Sequence, residues 1–217
     1  MIWLDHSRDP HRGEHALFSP SQMSWINDST ENDVYERYSR GLAKDIGTII
    51  HGVAKKCIST KTRLSNESAR SLIRMELLDK GIPEYCFNEE TLADNFLGYL
   101  NDTLDHNMRA EQELYYSEWC YGTADAISVD NYILRINDLK TGITPAKFLQ
   151  LEIYAALFFL DLSKVYRELT PDNCEIELRI FQGGEVLEEF PSADVIVPIM
   201  DSIIWHSETM DKLKEGN

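Results

Sequence analysis

Two acids thirteen positions apart, Asp125 and Asp138, with Lys140 two residues past the second, have the types and spacing to hold a cation with an ammonium alongside. Alternation predicts strands over residues 119–129 and 132–139, joined by a tight turn at Asp130-Asn131. With a two-residue loop there, Val129 pairs with Tyr132 and Asp125 lies opposite Ile136. Asp138 is then its diagonal neighbour on the same face, with Cα atoms roughly 7–8 Å apart. Lys140 shares that face because side chains alternate with period two; a three-residue loop would reverse the parity. Like charges held that close are costly without a cation, so the pattern motivates a metal site.

The elements that must position these residues follow from periodicity. Ile46, Ile49, Ile50, Val53, Cys57 and Ile58 form one apolar stripe of a helix predicted over about 34–60. Beside it run Arg40, Lys44, Thr48, His51 and Lys55, so His51 sits where the apolar and basic stripes meet. A histidine there is either a structural residue at the edge of a core or a functional one. Further helices are predicted over 66–80, capped by Ser65 or Asn66 and ended by Gly81 and Pro83, and over 88–107, capped by Asn88. The latter buries Leu92, Phe96, Tyr99, Leu100 and Leu104. A short helix start is read at residues 19–26 with Pro20 at its first position.

A strand over 111–118 precedes the hairpin. Pro145, with Thr144 as cap, is expected to open a helix reaching about residue 166, on which Gln150 and Tyr154 face the same way. Such a pair on an apolar helix reads either as tertiary hydrogen bonding or as part of a site that begins at Lys140. Strands over 175–182 and 186–190 joined by Gly183-Gly184 follow, then a closing helix over 192–214 with a stripe of Val195, Ile199, Ile203 and Met210. Three helices before any strand indicate an α+β class, a helical N-terminal part leading into a central mixed sheet flanked by helices. The expectation is one domain over 1–217: mainly helical to 110, sheet and helix over 111–190, closing helix last.

Composition narrows the function. The net charge of −16 argues against polyanion binding over the whole surface. Yet residues 37–74 hold nine basic side chains against Asp45 and Glu67, a segment of +7 on a remainder of −23. It reads either as a solvated helical face or as a surface that tracks phosphates. The longest apolar stretch, residues 154–160, is too short to span a membrane, and the polar N-terminus lacks a secretory apolar region. Cys57, Cys86, Cys120 and Cys174 are scattered with no CxxC pair, as expected of free thiols in a reducing, cytoplasmic compartment.

His51, Gly122-x-x-Asp125, Asp138-x-Lys140-Thr-Gly and Gln150-x-x-x-Tyr154 occur in the order and rough spacing of the PD-(D/E)XK nucleases. The chain resembles most the RecB-type branch, which includes nuclease domains of helicase–nuclease complexes and small stand-alone CRISPR-adaptation nucleases. The resemblance covers about residues 42–165 and implies a restriction-endonuclease-like fold. It further implies that Asp125 and Asp138 bind a divalent ion, helped by the Leu139 carbonyl and by His51. Lys140 would orient the attacking water and steady charge on the phosphate, with Gln150 and Tyr154 supporting the site and touching the strand. Hard carboxylates suit Mg²⁺ or Mn²⁺, and a histidine ligand tilts toward Mn²⁺. Beside two acids Lys140 should stay protonated, which favours electrostatic stabilisation over a general-base role.

Iron–sulfur members of that branch carry a cysteine before the motif histidine and three after the core. Here Cys57 follows His51 and no cysteine follows Cys174, so no iron–sulfur cluster is expected. DNA is the implied partner, approaching along Arg40, Lys44, Lys55 and Lys56. Without a recognition module, an exonuclease on ends or single strands is the expected activity. Stand-alone relatives are frequent in bacteriophages, which hints at a phage origin. The competing reading is a non-catalytic acidic module on the same fold that docks on a partner protein or competes with DNA. A third makes Asp138 and Lys140 a surface ion pair worth little.

Overall fold

The computed structural model describes residues 18, 20, 23–142, 144–162 and 168–216. Among the described residues the arrangement is α+β, with five α-helices and a five-stranded mixed sheet. Contacts divide the chain into two units, Met1–Asp45 and Ile46–Asn217, with the boundary inside the first helix.

In the first unit, a 3-10 turn over Met23–Asn27 precedes α1 (Glu31–Ser59). Its predicted start lies partly outside the described residues. Thr30 and Asp33 cap α1 reciprocally: Asp33 Oδ2 accepts the Thr30 N–H at 2.9 Å, and Thr30 Oγ1 accepts that of Asp33 at 3.2 Å.

In the second unit, α1 buries Ile46, Ile50, Val53, Ala54, Cys57 and Ile58 and ends at Ser59, two residues before Lys61 takes a left-handed φ. Then come α2 (Asn66–Asp79) and α3 (Glu89–Asp105), capped by the side chains of Ser65 and Asn88. The strands β1 (Arg109–Ser117), β2 (Cys120–Asp130) and β3 (Ile133–Leu139) are antiparallel neighbours. From β3 the chain crosses through α4 (Leu149–Leu162) to β4 (Glu175–Gln182), which lies parallel to β3. The edge strand β5 (Glu185–Glu189) and α5 (Ala193–Lys214) complete the chain. On one sheet face Leu134, Ile136, Ile176, Leu178 and Ile180 pack with Leu151, Ala155 and Phe159 of α4 and Ile196 and Ile203 of α5. On the other lies α3, whose Asp102 receives a 2.7 Å hydrogen bond from Asn137 of β3. No helix among the described residues is long and apolar enough to cross a membrane.

Three expectations need correction. The hairpin turns at Asn131-Tyr132, not Asp130-Asn131, so Asp130 pairs with Ile133 and Ile127 with Ile136. Both turn residues have positive φ, +49° and +63°, the signature of a type I′ turn, which matches the twist of the strands it joins. Neither Pro145 nor Thr144 opens α4, which begins at Leu149. The Gln182 side chain donates to the carbonyls of Gly142 and Thr144 at 2.7 and 2.8 Å and accepts the Ala146 N–H at 3.0 Å. That clamp holds the intervening chain out of helix; the expected helix end at 163–166 lies outside the described residues. Finally, Val195 and Met210 are exposed, while Ile196, Ile203 and Ser207 are the buried positions of α5. Likewise Thr103 and Asn95 take buried places on α3, with Leu104 only half-buried. Ser207 and Asn95 make specific hydrogen bonds, to Ser117 and to the Lys140 carbonyl, that a hydropathy pattern does not register.

Candidate metal centre

Gly122 explains the first feature of the site. A Cβ there would stand 2.9 Å from the Tyr154 ring, so glycine lets β2 and α4 approach each other. Tyr154 therefore marks the face Gly122 looks toward. Ile127 packs into the same α4 cluster. Residues five apart on a regular strand face opposite ways, so the alternation of β2 slips once between these two. The slip falls where β1 is irregular: Ala110 pairs with Ala126 and Gln112 with Ala124, leaving Glu111 across from Asp125. Glu111 has φ +53°, a left-handed conformation that costs a non-glycine residue about 1 kcal/mol. Parity along the hairpin alone consequently does not place Asp125.

Asp125 meets α1 instead. Its Oδ2 is 3.5 Å from His51 Nδ1 and accepts the Leu139 N–H at 3.0 Å. Donor atoms of His51, Glu111 and Asp125 all lie within 4.8 Å of one another. They line an open recess of ≈ 560 Å³ with Gly47, Thr48, Gly52 and Lys55, so the helix face turned to the carboxylates carries two glycines and one lysine.

Asp138 heads a second group. Lys140 Nζ is 3.0 Å from each of its oxygens and donates to Oδ1. Lys140 also donates to Gln150 Oε1 at 3.0 Å, and Gln150 Nε2 to the Tyr154 hydroxyl at 3.3 Å. Asp138, Lys140, Gln150 and Tyr154 thus form one continuous chain from β3 to α4. Leu139 links it to Asp125 through its N–H.

Electrostatics tie the two groups together. Burial pushes the Asp125 carboxyl up to about 6, and the Asp138 charge adds to this; His51, the Leu139 N–H and Lys140 pull it back. The Tyr99 hydroxyl on α3, fully buried, is held well above its usual range by desolvation and then by the charges of Asp125, Glu111 and Asp138. It stays a neutral hydroxyl among three carboxylates. Glu111, Asp125 and Asp138 face one lysine and one histidine. Such an excess of partly buried negative charge fits a hard divalent cation.

The basic segment is less free than its composition implied. Arg37 pairs with Asp28 and Arg40 with Glu36 in the first unit; in the second, Arg63 pairs with Asp105, Arg70 with Glu90, and Arg74 with Glu84 and Glu89. Lys55 borders the recess, and Lys56 is exposed outside its lining. Lys44 belongs to the first unit. Sequence reasoning missed Glu111 as a donor, because nothing in a lone sequence flags a left-handed kink inside a strand. Tyr99 was read as core, and its proximity to the acids depends on α3 docking against β3.

No protein-family model, no curated protein and no solved structure matches the chain. The chain is therefore defined by its α+β arrangement, with a His–Glu–Asp cluster and an adjoining Asp–Lys–Gln–Tyr chain.

Proposed function

We propose that the chain is a divalent-metal-dependent nuclease of the restriction-endonuclease-like, PD-(D/E)XK class, cutting phosphodiester bonds at DNA ends or in single strands. The observation that carries this reading is the hydrogen-bonded chain Asp138–Lys140–Gln150–Tyr154, linked through Leu139 to Asp125 beside His51. Residues read from four separate motifs meet at one end of one hairpin.

His51, Asp125 and Asp138 would hold Mg²⁺ or Mn²⁺, which when bound polarises a phosphoryl oxygen and makes hydroxide available near neutral pH. Lys140, one-third exposed and anchored to Asp138, presents its ammonium where negative charge grows on the phosphate. Gln150 fixes the lysine through its carbonyl oxygen and passes its amide to Tyr154, which keeps the ammonium from swinging away. Tyr99 supplies a hydroxyl that does not ionise at working pH.

The test is degradation of end-labelled single-stranded and blunt duplex DNA with and without Mn²⁺, by wild type, Asp125→Ala and Lys140→Ala. Wild type is expected to cut only with metal, and each variant to lose about a hundredfold or more. Equal activity in all three would remove the enzymatic reading. One observation favours the alternative of an acidic docking module: five of the nine basic side chains over 37–74 are already paired with acids. That alternative expects no metal-dependent cutting and no consequence of Lys140→Ala.

A further inference from the structure

Glu111 sits where a strand would choose another residue. A left-handed position inside a strand is ordinarily glycine, because a Cβ there crowds the backbone. This chain has glutamate, at φ +53°, and directs its carboxylate into the 4.8 Å cluster with the carboxylate of Asp125. Backbone strain and like-charge repulsion thus fall on one side chain. No hydrogen bond or ion pair to that carboxylate offsets them among the described residues. Beside this pair Asp138, 3% exposed, holds Lys140 3.0 Å from both of its oxygens, so that lysine is committed to Asp138 and His51 alone faces Glu111 and Asp125 within the cluster. The shortage at Glu111 and Asp125 is of positive charge. Costs of this kind persist at positions where they serve a site.

We propose that Glu111, which belongs to none of the sequence motifs, is a ligand of the divalent cation, presented by the kink in β1 and completing a donor set with His51 and Asp125. This rests on the metal-dependent reading above. It moves the cation toward the β1–α1 recess, with Lys55 at its border, and leaves Lys140 to hold Asp138 alongside. An imidazole and two carboxylates suit Mn²⁺, and an ion of that class keeps open positions for water and a phosphate oxygen.

The experiment is Mn²⁺ titration by calorimetry, with thermal unfolding in chelator, of wild type, Glu111→Asn, Glu111→Gly and Glu113→Gln. Asparagine and glycine both accept the left-handed backbone. The expected result is a fall in Mn²⁺ affinity of about tenfold or more for both Glu111 variants. Their metal-free unfolding temperature should equal or exceed that of wild type. Glu113→Gln, exposed and two residues along the same strand, should bind like wild type. Wild-type affinity in both Glu111 variants overturns the assignment while the metal-dependent reading stands. A lower metal-free unfolding temperature in both makes Glu111 a structural residue and overturns it too. If wild type itself binds no Mn²⁺, the broader reading falls and this one with it.

Discussion

Two charged clusters sit on this sheet, and they are built in opposite ways. Beside α3, Arg135 and Arg179 contact Glu177 at 2.8 and 3.1 Å, and Arg179 reaches Glu188 at 2.7 Å and Asp102 at 3.3 Å. Asn137 adds a donor to Asp102. Two guanidiniums against three carboxylates, each at bonding distance, make a network satisfied within the chain. At the other cluster Glu111 and Asp125 crowd together with His51, and Asp138 shares one lysine with Gln150. The first cluster holds elements together. The second keeps a surplus of acid that the fold tolerates, and a region assembled at such cost is where an added cation does most.

Breaking the satisfied network should have the larger effect on folding. Arg179→Met strands Asp102, Glu177 and Glu188 without their shared partner. For a side chain 15% exposed we expect about 3 kcal/mol of destabilisation in urea unfolding, with Mn²⁺ affinity unchanged. A variant within about 0.5 kcal/mol of wild type would show that this cluster is not the structural one.

The acid-rich cluster should respond with the opposite sign. Asp125 has a folded-state value of about 6, raised from 3.8 chiefly by burial. Its contribution to stability is therefore complete below about pH 4 and is lost as pH rises through about 6. Metal-free protein should gain stability from this group on acidification from pH 7 to 4.5, and Asp125→Asn should flatten that slope. At pH 7 the variant should be more stable than metal-free wild type, by no more than about 3 kcal/mol. Chemical denaturation in chelator across that pH range measures both; a destabilised Asp125→Asn at pH 7 would put Asp125 with the structural network.

The same contrast explains what the sequence disclosed. Local chemistry read well: Ser65 and Asn88 cap their helices through their own side chains, and Gly183-Gly184 turns β4 into β5 with both φ angles positive. The hairpin carrying Asp125 and Asp138 was visible too, although its turn lay one residue later. Features that depend on distant partners were hidden. Gln182, some forty positions away, keeps residues 144–146 out of α4. The carboxylates that neutralise Arg63 and Arg70 lie 42 and 20 residues along the chain, so a window over 37–74 overstates its field. Period placed Asp138 with Lys140 on one strand face and Gln150 with Tyr154 on one helix face; that the two pairs meet was implied only by the family resemblance. Glu111 was not legible, since its role depends on a backbone angle.

The most direct test of a cation-binding centre is an anomalous difference map from crystals of the wild-type chain soaked in Mn²⁺. A peak in contact with Asp125 and His51 is expected, about 2.1 Å from the donor atoms, as for a hard divalent ion. A map with no peak at Asp125, in protein otherwise intact, would contradict it.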